Sequence, residues 1–235
     1  MRSKRKVIIL MGPPGAGKGT QAELLADKLN LYYFETSKVL EEKFSEAKKN
    51  EFLKIEGKKY YVKNEKKLWL EGKLCSPPFV TFLVLEKIKQ LFKEGKNLIL
   101  AGSPRTLYEG KKVIPLLKKL YGKKNIKVIL LDISAKETLK RNSQRRICKL
   151  MRHPILATKK EFLKLKYCPL DGSKLLKRKG LDDPETIKVR IKEYKERTYP
   201  LIDYFKKQGL KVIKISGSPP PVTVFKNILK ALKIK

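Results

Sequence analysis

Apolar residues along the chain form two signals: short unbroken runs, and longer stretches with apolar positions three or four apart. Residues 6–11 (KVIILM), 32–35 (YYFE), 97–101 (NLILA), 128–132 (VILLD) and 212–215 (VIKI) belong to the first kind. Such short runs, bounded by turn signals, suit strands buried on both faces of a parallel sheet. Helical patterns lie between and after them, at 17–30, 37–48, 65–71, 79–94, 108–121, 136–146, 183–207 and 221–233. Asp183-Pro184-Glu185 is a favourable start for one of these: Asp caps free amides, Pro fits the first turn, and Glu complements the helix dipole. Strands alternating with helices predict an α/β fold with a parallel sheet covered on both faces. Residues 37–78 put extra helices between the second and third strands, and residues 147–180 are basic and rich in turns, so both read as lobes grafted onto the core.

Composition bounds this picture without changing it. A chain of 235 residues, 41% hydrophobic and 34% charged, has the make-up of a soluble globular protein with one sizeable core. No apolar run approaches the length needed to span a bilayer. The basic start, Met1 to Lys6, precedes too short an apolar run for a signal peptide, so a cytoplasmic location is expected. Three cysteines, Cys75, Cys148 and Cys168, do not form a disulfide framework. The charge is extreme: 57 Lys+Arg against 23 Asp+Glu gives +34. Basic surfaces bind nucleic acid by releasing counterions from phosphates. The lysines are scattered over nearly every segment, however, and a lysine-rich composition or a site for several phosphates gives the same total. Nonspecific association with nucleic acid stays open as a side property.

The sharpest motif runs from Gly12 to Thr20, GPPGAGKGT. It contains G-x-x-x-x-G-K-[ST] between an apolar run and a helical pattern, the context this motif requires. Glycines Gly12, Gly15, Gly17 and Gly19, with the small Ala16, let backbone amides approach phosphate oxygens at a helix N-terminus. Lys18 then reaches the β- and γ-phosphates and the Thr20 hydroxyl binds Mg²⁺. An ordinary glycine-rich turn leaves the lysine and threonine spacing unexplained.

The stretch GPPGAGKGTQA, Gly12 to Ala22, resembles the adenylate kinase group of nucleoside monophosphate kinases. Further blocks occur in that family's order: Gly72-Lys73-Leu74; Gly102-Ser103-Pro104-Arg105-Thr106, similar to D-G-F-P-R-T; Arg141 to Arg146, similar to the entry of the lid; and Asp182 to Thr186 with Arg190, similar to its exit. The resemblance spans nearly the whole chain. It implies a P-loop three-layer fold with a five-stranded parallel sheet: a core at 1–36, 79–146 and 181–235, a monophosphate-binding lobe at 37–78 and a lid at 147–180. It implies transfer of a phosphoryl group from ATP, with Mg²⁺, to a nucleoside monophosphate, giving two diphosphates. AMP is the expected acceptor, CMP and GMP are alternatives, and a weakly active nucleotide-binding protein is the reading from another class. The family's roles fall on Arg105 for the monophosphate, and on Arg141, Arg145 and Arg190 around the transferring group, with Arg178 or Lys179 reaching in from the lid. Gly217 joins the ATP site, and Thr36, Leu74, Cys75 and Gly102 join the monophosphate site. A monomer acting on small-molecule nucleotides, with no membrane, is the implied assembly. Such chemistry is mostly positioning and charge neutralisation, for which arginine's planar fork is well suited.

The sequence departs from the family at four places. Ala101 stands where the family has an aspartate that organises Mg²⁺, and Thr36-Ser37-Lys38 replaces T-G-D, so Lys38 takes the place of a second acid. Mg²⁺ would then rest on Thr20, phosphates and water, which predicts slower turnover or an altered metal preference. Glu41 replaces a phosphate-binding arginine and is expected to turn away or pair with a lysine. Glu109 replaces a base-reading amide. An ionised carboxylate only accepts hydrogen bonds, so it favours a donor-rich base edge and disfavours uracil.

Residues 147–180 carry a further pattern. Cys148, Cys168 and Asp171 resemble three of the four zinc ligands in some family lids. Met151 occupies the place of the other, and His153, the only histidine, lies two residues later. A Cys, Cys, His, Asp set is a reasonable tetrahedral zinc site; two buried cysteines beside a surface histidine fit the sequence equally. Cys75 and Trp69 read as packing in the monophosphate lobe.

Overall fold

The computed structural model describes residues 5–151, 153–156, 160–177 and 182–234. The chain opens with β1 (Val7–Met11), the glycine-rich turn and α1 (Lys18–Leu29), then β2 (Tyr32–Glu35) and α2 (Thr36–Ser45). A hairpin of β3 (Phe52–Ile55) and β4 (Lys58–Tyr61) leads into α3 (Val62–Leu70) and α4 (Pro77–Lys93). β5 (Leu98–Ala101), α5 (Leu107–Tyr121), β6 (Ile126–Asp132) and α6 (Ala135–Gln144) follow. The second insertion holds β7 (Arg145–Cys148), β8 (Pro154–Leu156), α7 (Lys160–Lys164) and β9 (Leu175–Leu176). The chain then forms α8 (Pro184–Glu193), a π-helical turn at Tyr194–Thr198, α9 (Leu201–Lys207), β10 (Val212–Ser216) and α10 (Pro221–Leu232).

Five strands form one sheet in the order β10-β6-β1-β5-β2, and every pairing is parallel. Side chains alternate across it, as strand geometry demands. Ile9, Leu98, Leu100, Val128 and Leu130 face a layer with Val84 and Ile88 of α4, Ile114 of α5 and Phe205 of α9. Ile8, Leu10, Ile99, Ile129 and Leu131 face the other, with Leu25 of α1 and Ile228 of α10. All of β1 and β5 is buried, which is why their sequences read as apolar runs rather than alternations. The strand order changes direction beside β1, so a crevice opens at the carboxyl end of that strand. The first insertion has its own small core of Leu40, Phe44, Val62, Cys75 and Phe79, and the second a smaller one of Cys148, Cys168 and Leu175.

The five strands and the three-layer α/β class are as expected; several element boundaries are not. The helix expected at 136–146 stops at Gln144, because Arg145–Cys148 pairs with both β8 and β9. The helix expected at 183–207 is broken by the π-helical turn and Pro200, as the Thr198 hydroxyl donates to the Arg105 carbonyl at 2.8 Å. The helix expected at 65–71 begins earlier, at Val62, and the 37–78 insertion contains a hairpin besides its helices. Arg178 and Lys179 lie outside the described residues.

Candidate functional site

The glycine-rich turn runs from the end of β1 into α1 and forms one wall of a cleft of about 330 Å³. Gly12, at φ +145°, has no room for a side chain: a Cβ there would lie 2.4 Å from the Leu131 carbonyl oxygen. Gly12, Gly15, Gly17, Lys18, Gly19 and Thr20 all line the cleft. Ala16 packs into the apolar layer beneath it instead. The Lys18 ammonium donates to the carbonyls of Gly12 (2.7 Å) and Pro13 (2.8 Å). Burial, then the charges of Arg105, Arg190 and Arg145, hold its pKa well below the usual lysine range.

Those three arginines and Arg141 line the same cleft, although they come from three separate segments. Arg141, on α6, donates to Glu137 (2.6 Å) and to the carbonyls of Gly217 (2.8 Å) and Ser218 (2.9 Å), so its fork ties the loop after β10 to the cleft wall. Gly217 therefore meets the site through Arg141. Arg145, where the chain enters the second insertion, makes a two-point contact with Asp182, and Arg190, on α8 beyond it, lies 3.8 Å from the same carboxylate. Asp182 is buried, so one acid joins both ends of the second insertion and orients two cations.

Arg105 follows β5 in a turn that includes a cis Ser103–Pro104 peptide. Gly102, at φ +103°, holds a backbone conformation that other residues rarely adopt, and a Cβ there would also press on the Arg105 guanidinium at 2.8 Å. Behind Arg105 a second, smaller pocket is lined by Thr36, Leu40, Trp69, Leu74, Cys75 and Glu109. Arg105 is on the wall of both pockets. The Thr36 hydroxyl is buried and has no hydrogen-bond partner among the described residues. Cys75 donates its thiol to the Glu65 carbonyl at 3.4 Å, and burial, then Glu65, pushes its pKa up to about 12, so it stays a neutral thiol. Glu109 is buried, and its carboxylate accepts from the Ser103 hydroxyl (2.5 Å) and the Arg105 amide (2.6 Å). Its pKa is raised by burial, against the lowering effect of those donors.

The cleft also holds carboxylates. Glu23, Glu35 and Glu41 line it together with Lys38, while Ala101 adds only a methyl group. Glu41 thus contributes to the cleft wall. Burial, then the charge of Glu35, pushes the Glu23 carboxyl up.

In the second insertion, Cys148, His153, Cys168 and Asp171 bring one ligand atom each within 4.8 Å of all the others. His153 Nδ1 is 3.6 Å from each sulfur and 3.3 Å from Asp171 Oδ2. Zn–S near 2.3 Å and Zn–N near 2.1 Å at a tetrahedral angle separate S and N by about 3.6 Å. The donor set and its spacing fit zinc. Met151 is exposed and takes no part through its side chain.

Sequence reading missed Asp182 as an organiser of the arginines, Glu35 as a cleft acid and Thr198 as a support for the Arg105 turn. Asp182 carried a signal in the Asp182-Asp183 pair; a contact across 93 residues, like that of Thr198, leaves none.

Comparison with known proteins agrees with this geometry. The adenylate kinase family model matches residues 10–210. The chain is 36% identical over 232 residues to the adenylate kinase of Archaeoglobus fulgidus, covering 97% of this chain and 99% of that one. It is 33% identical over 229 residues to the adenylate kinase of Caldicellulosiruptor bescii, with the same coverage, and 33% over 228 residues to that of Methanothrix thermoacetophila, covering 96% and 97%. Fold, cleft and comparisons agree that the chain belongs to the adenylate kinase family.

Proposed function

We propose that the protein transfers the γ-phosphoryl group of ATP to AMP, producing two ADP. The observation that carries this reading is Arg105, shared by the walls of two adjoining pockets, one with the phosphate cradle and one lined by Thr36, Leu74, Cys75 and Glu109. An α-phosphate gripped by Arg105 faces a γ-phosphate held at Lys18. The monophosphate oxygen attacks phosphorus, the bond to the β–γ bridging oxygen breaks, and that oxygen leaves on ADP. Arg141, Arg145 and Arg190 neutralise charge on the transferring oxygens, and Asp182 keeps the last two aimed. Closing the lid and lobe excludes water as a competing acceptor. Thr20 and the nearby acids are the residues that would hold Mg²⁺, which when bound neutralises phosphate charge. Glu109 holds the Arg105 turn and leaves spare lone pairs for the exocyclic amine of adenine. A panel of AMP, CMP, GMP and UMP tests the acceptor: AMP is expected first, and UMP first would overturn the assignment.

A structural zinc on Cys148, His153, Cys168 and Asp171 belongs to this reading, supported by the spacing of the four donors. So do a cytoplasmic location and a monomeric state; no helix among the described residues is long and apolar enough to cross a membrane. Nonspecific binding of single-stranded nucleic acid is a second property, favoured by one surface. The outer face of the β3–β4 hairpin carries Phe52 beside Tyr61, with ring centroids 5.6 Å apart, and Lys54 opposite Lys59. Stacking rings beside lysines form a platform for bases and phosphates.

A further inference from the structure

The cleft built for phosphates contains carboxylates, and a carboxylate facing phosphate is repulsive unless a cation stands between them. Glu35 is the one whose placement the fold defines best. It is the last residue of β2, and its Cα is in register with Ala101, the last residue of β5. Laterally paired residues in a parallel sheet project to the same face, so Glu35 extends over the face where the Ala101 methyl group offers no ligand. That face borders the cleft wall bearing Thr20. The Glu35 carboxylate is oriented by its own turn: Ser37 Oγ donates to Oε1 at 2.7 Å, and Lys38 Nζ lies 3.9 Å from Oε2. Glu23 adds a second carboxylate one turn along α1 from Thr20, on the same side of that helix.

We infer that Glu35 is the acid that positions the metal of the metal–nucleotide complex, reaching from the neighbouring strand across the position of Ala101. The inference rests on the adenylate kinase reading. It reverses the expectation of a metal site without an acid: the charge sits on β2, with Lys38 as its partner rather than its replacement. Glu35 acts as a positioning residue, holding metal-bound water, while phosphates and Thr20 supply direct ligands. Losing such an outer-shell partner weakens metal affinity about 10-fold to 100-fold.

The test measures Mn²⁺ binding to the full-length protein saturated with a non-hydrolysable ATP analogue, by electron paramagnetic resonance, with metal-free analogue binding measured separately. Glu35→Gln is expected to weaken Mn²⁺ about tenfold or more, and to leave metal-free nucleotide affinity unchanged or tighter. Adding Ala101→Asp to Glu35→Gln is expected to restore Mn²⁺ affinity, because it returns a carboxylate to the same face. Unchanged Mn²⁺ affinity in Glu35→Gln overturns the inference, as does failure of Ala101→Asp to restore it. Should Glu35→Gln fail to fold, Ser37→Ala removes only the orienting hydroxyl and must weaken Mn²⁺ in the same direction; no change there also overturns it. Loss of metal-free nucleotide binding by the wild-type protein would instead contradict the kinase reading, so the two failures are distinct.

Discussion

Replacing Glu109 separates its structural work from its place in the base pocket. The carboxylate is buried and accepts from the Ser103 hydroxyl and the Arg105 amide, and Ser103 is itself only 1% exposed. Glu109→Ala leaves both donors without an acceptor. Each buried orphan costs about 1–3 kcal/mol, and relief of the buried carboxylate offsets part of the sum, so a net loss of about 2–4 kcal/mol is expected. For a chain of this size that lowers Tm by roughly 4–16 °C. Glu109→Gln keeps the shape: its amide oxygen accepts from Arg105, its NH₂ donates to the Ser103 oxygen, and the loss stays below about 1 kcal/mol. The two variants also differ in pH response. Burial raises the folded-state pKa of Glu109 above 4.5, so the folded protein holds its proton more tightly than the unfolded chain does. Stability from this group is therefore lost as pH rises from about 4.5 through the folded-state value, and Glu109→Gln removes that slope. Urea unfolding followed by circular dichroism from pH 4.5 to 8 gives the stabilities, and steady-state kinetics give KM for AMP, which rises in Glu109→Ala as the Arg105 turn loosens. Glu109→Ala within 0.5 kcal/mol of wild type, or Glu109→Gln as damaging as Glu109→Ala, would refute the reasoning.

Three further outcomes follow from other parts of the molecule. Protein purified without chelator carries about one zinc per chain, and Cys148→Ser or His153→Ala lowers both the zinc content and Tm; metal-free wild-type protein in elemental analysis would exclude the lid site. Asp182→Asn keeps the shape but leaves Arg145 and Arg190 without their shared anion, and costs about 3 kcal/mol in unfolding free energy together with a lower kcat; unchanged kcat would show that the acid does not aim them. Phe52→Ala with Tyr61→Ala weakens binding of a labelled single-stranded RNA about tenfold while kinase activity is kept; equal weakening by Lys226→Gln with Lys230→Gln on α10 would assign the binding to overall charge.

How much of this was legible in the sequence depended on how local each cause is. The cradle was readable because Gly12, Gly17, Lys18 and Thr20 act within one turn, and the strands because burial on both faces leaves unbroken apolar runs. The hairpin at 52–61 was not, since lysines on its outer face interrupt the apolar alternation, and its Glu56-Gly57 turn, with both residues at positive φ, is a weaker signal than Asn-Gly. The π-helical turn ends on Thr198, which meets the Arg105 carbonyl across the fold, a contact that leaves no local pattern. The role of Glu35 emerges only from strand register: nothing in the sequence sets residue 35 beside residue 101. His153 was legible as a candidate ligand two residues past Met151, and the folded turn brings it among Cys148, Cys168 and Asp171.

The central claim is tested most directly by following label from γ-³²P-ATP, with Mg²⁺ and AMP, in the wild-type protein and in Lys18→Ala. The account predicts labelled ADP from the wild type and a loss of at least about 100-fold in the variant, which keeps its fold. Tight ATP binding by the wild type with no labelled ADP would contradict it.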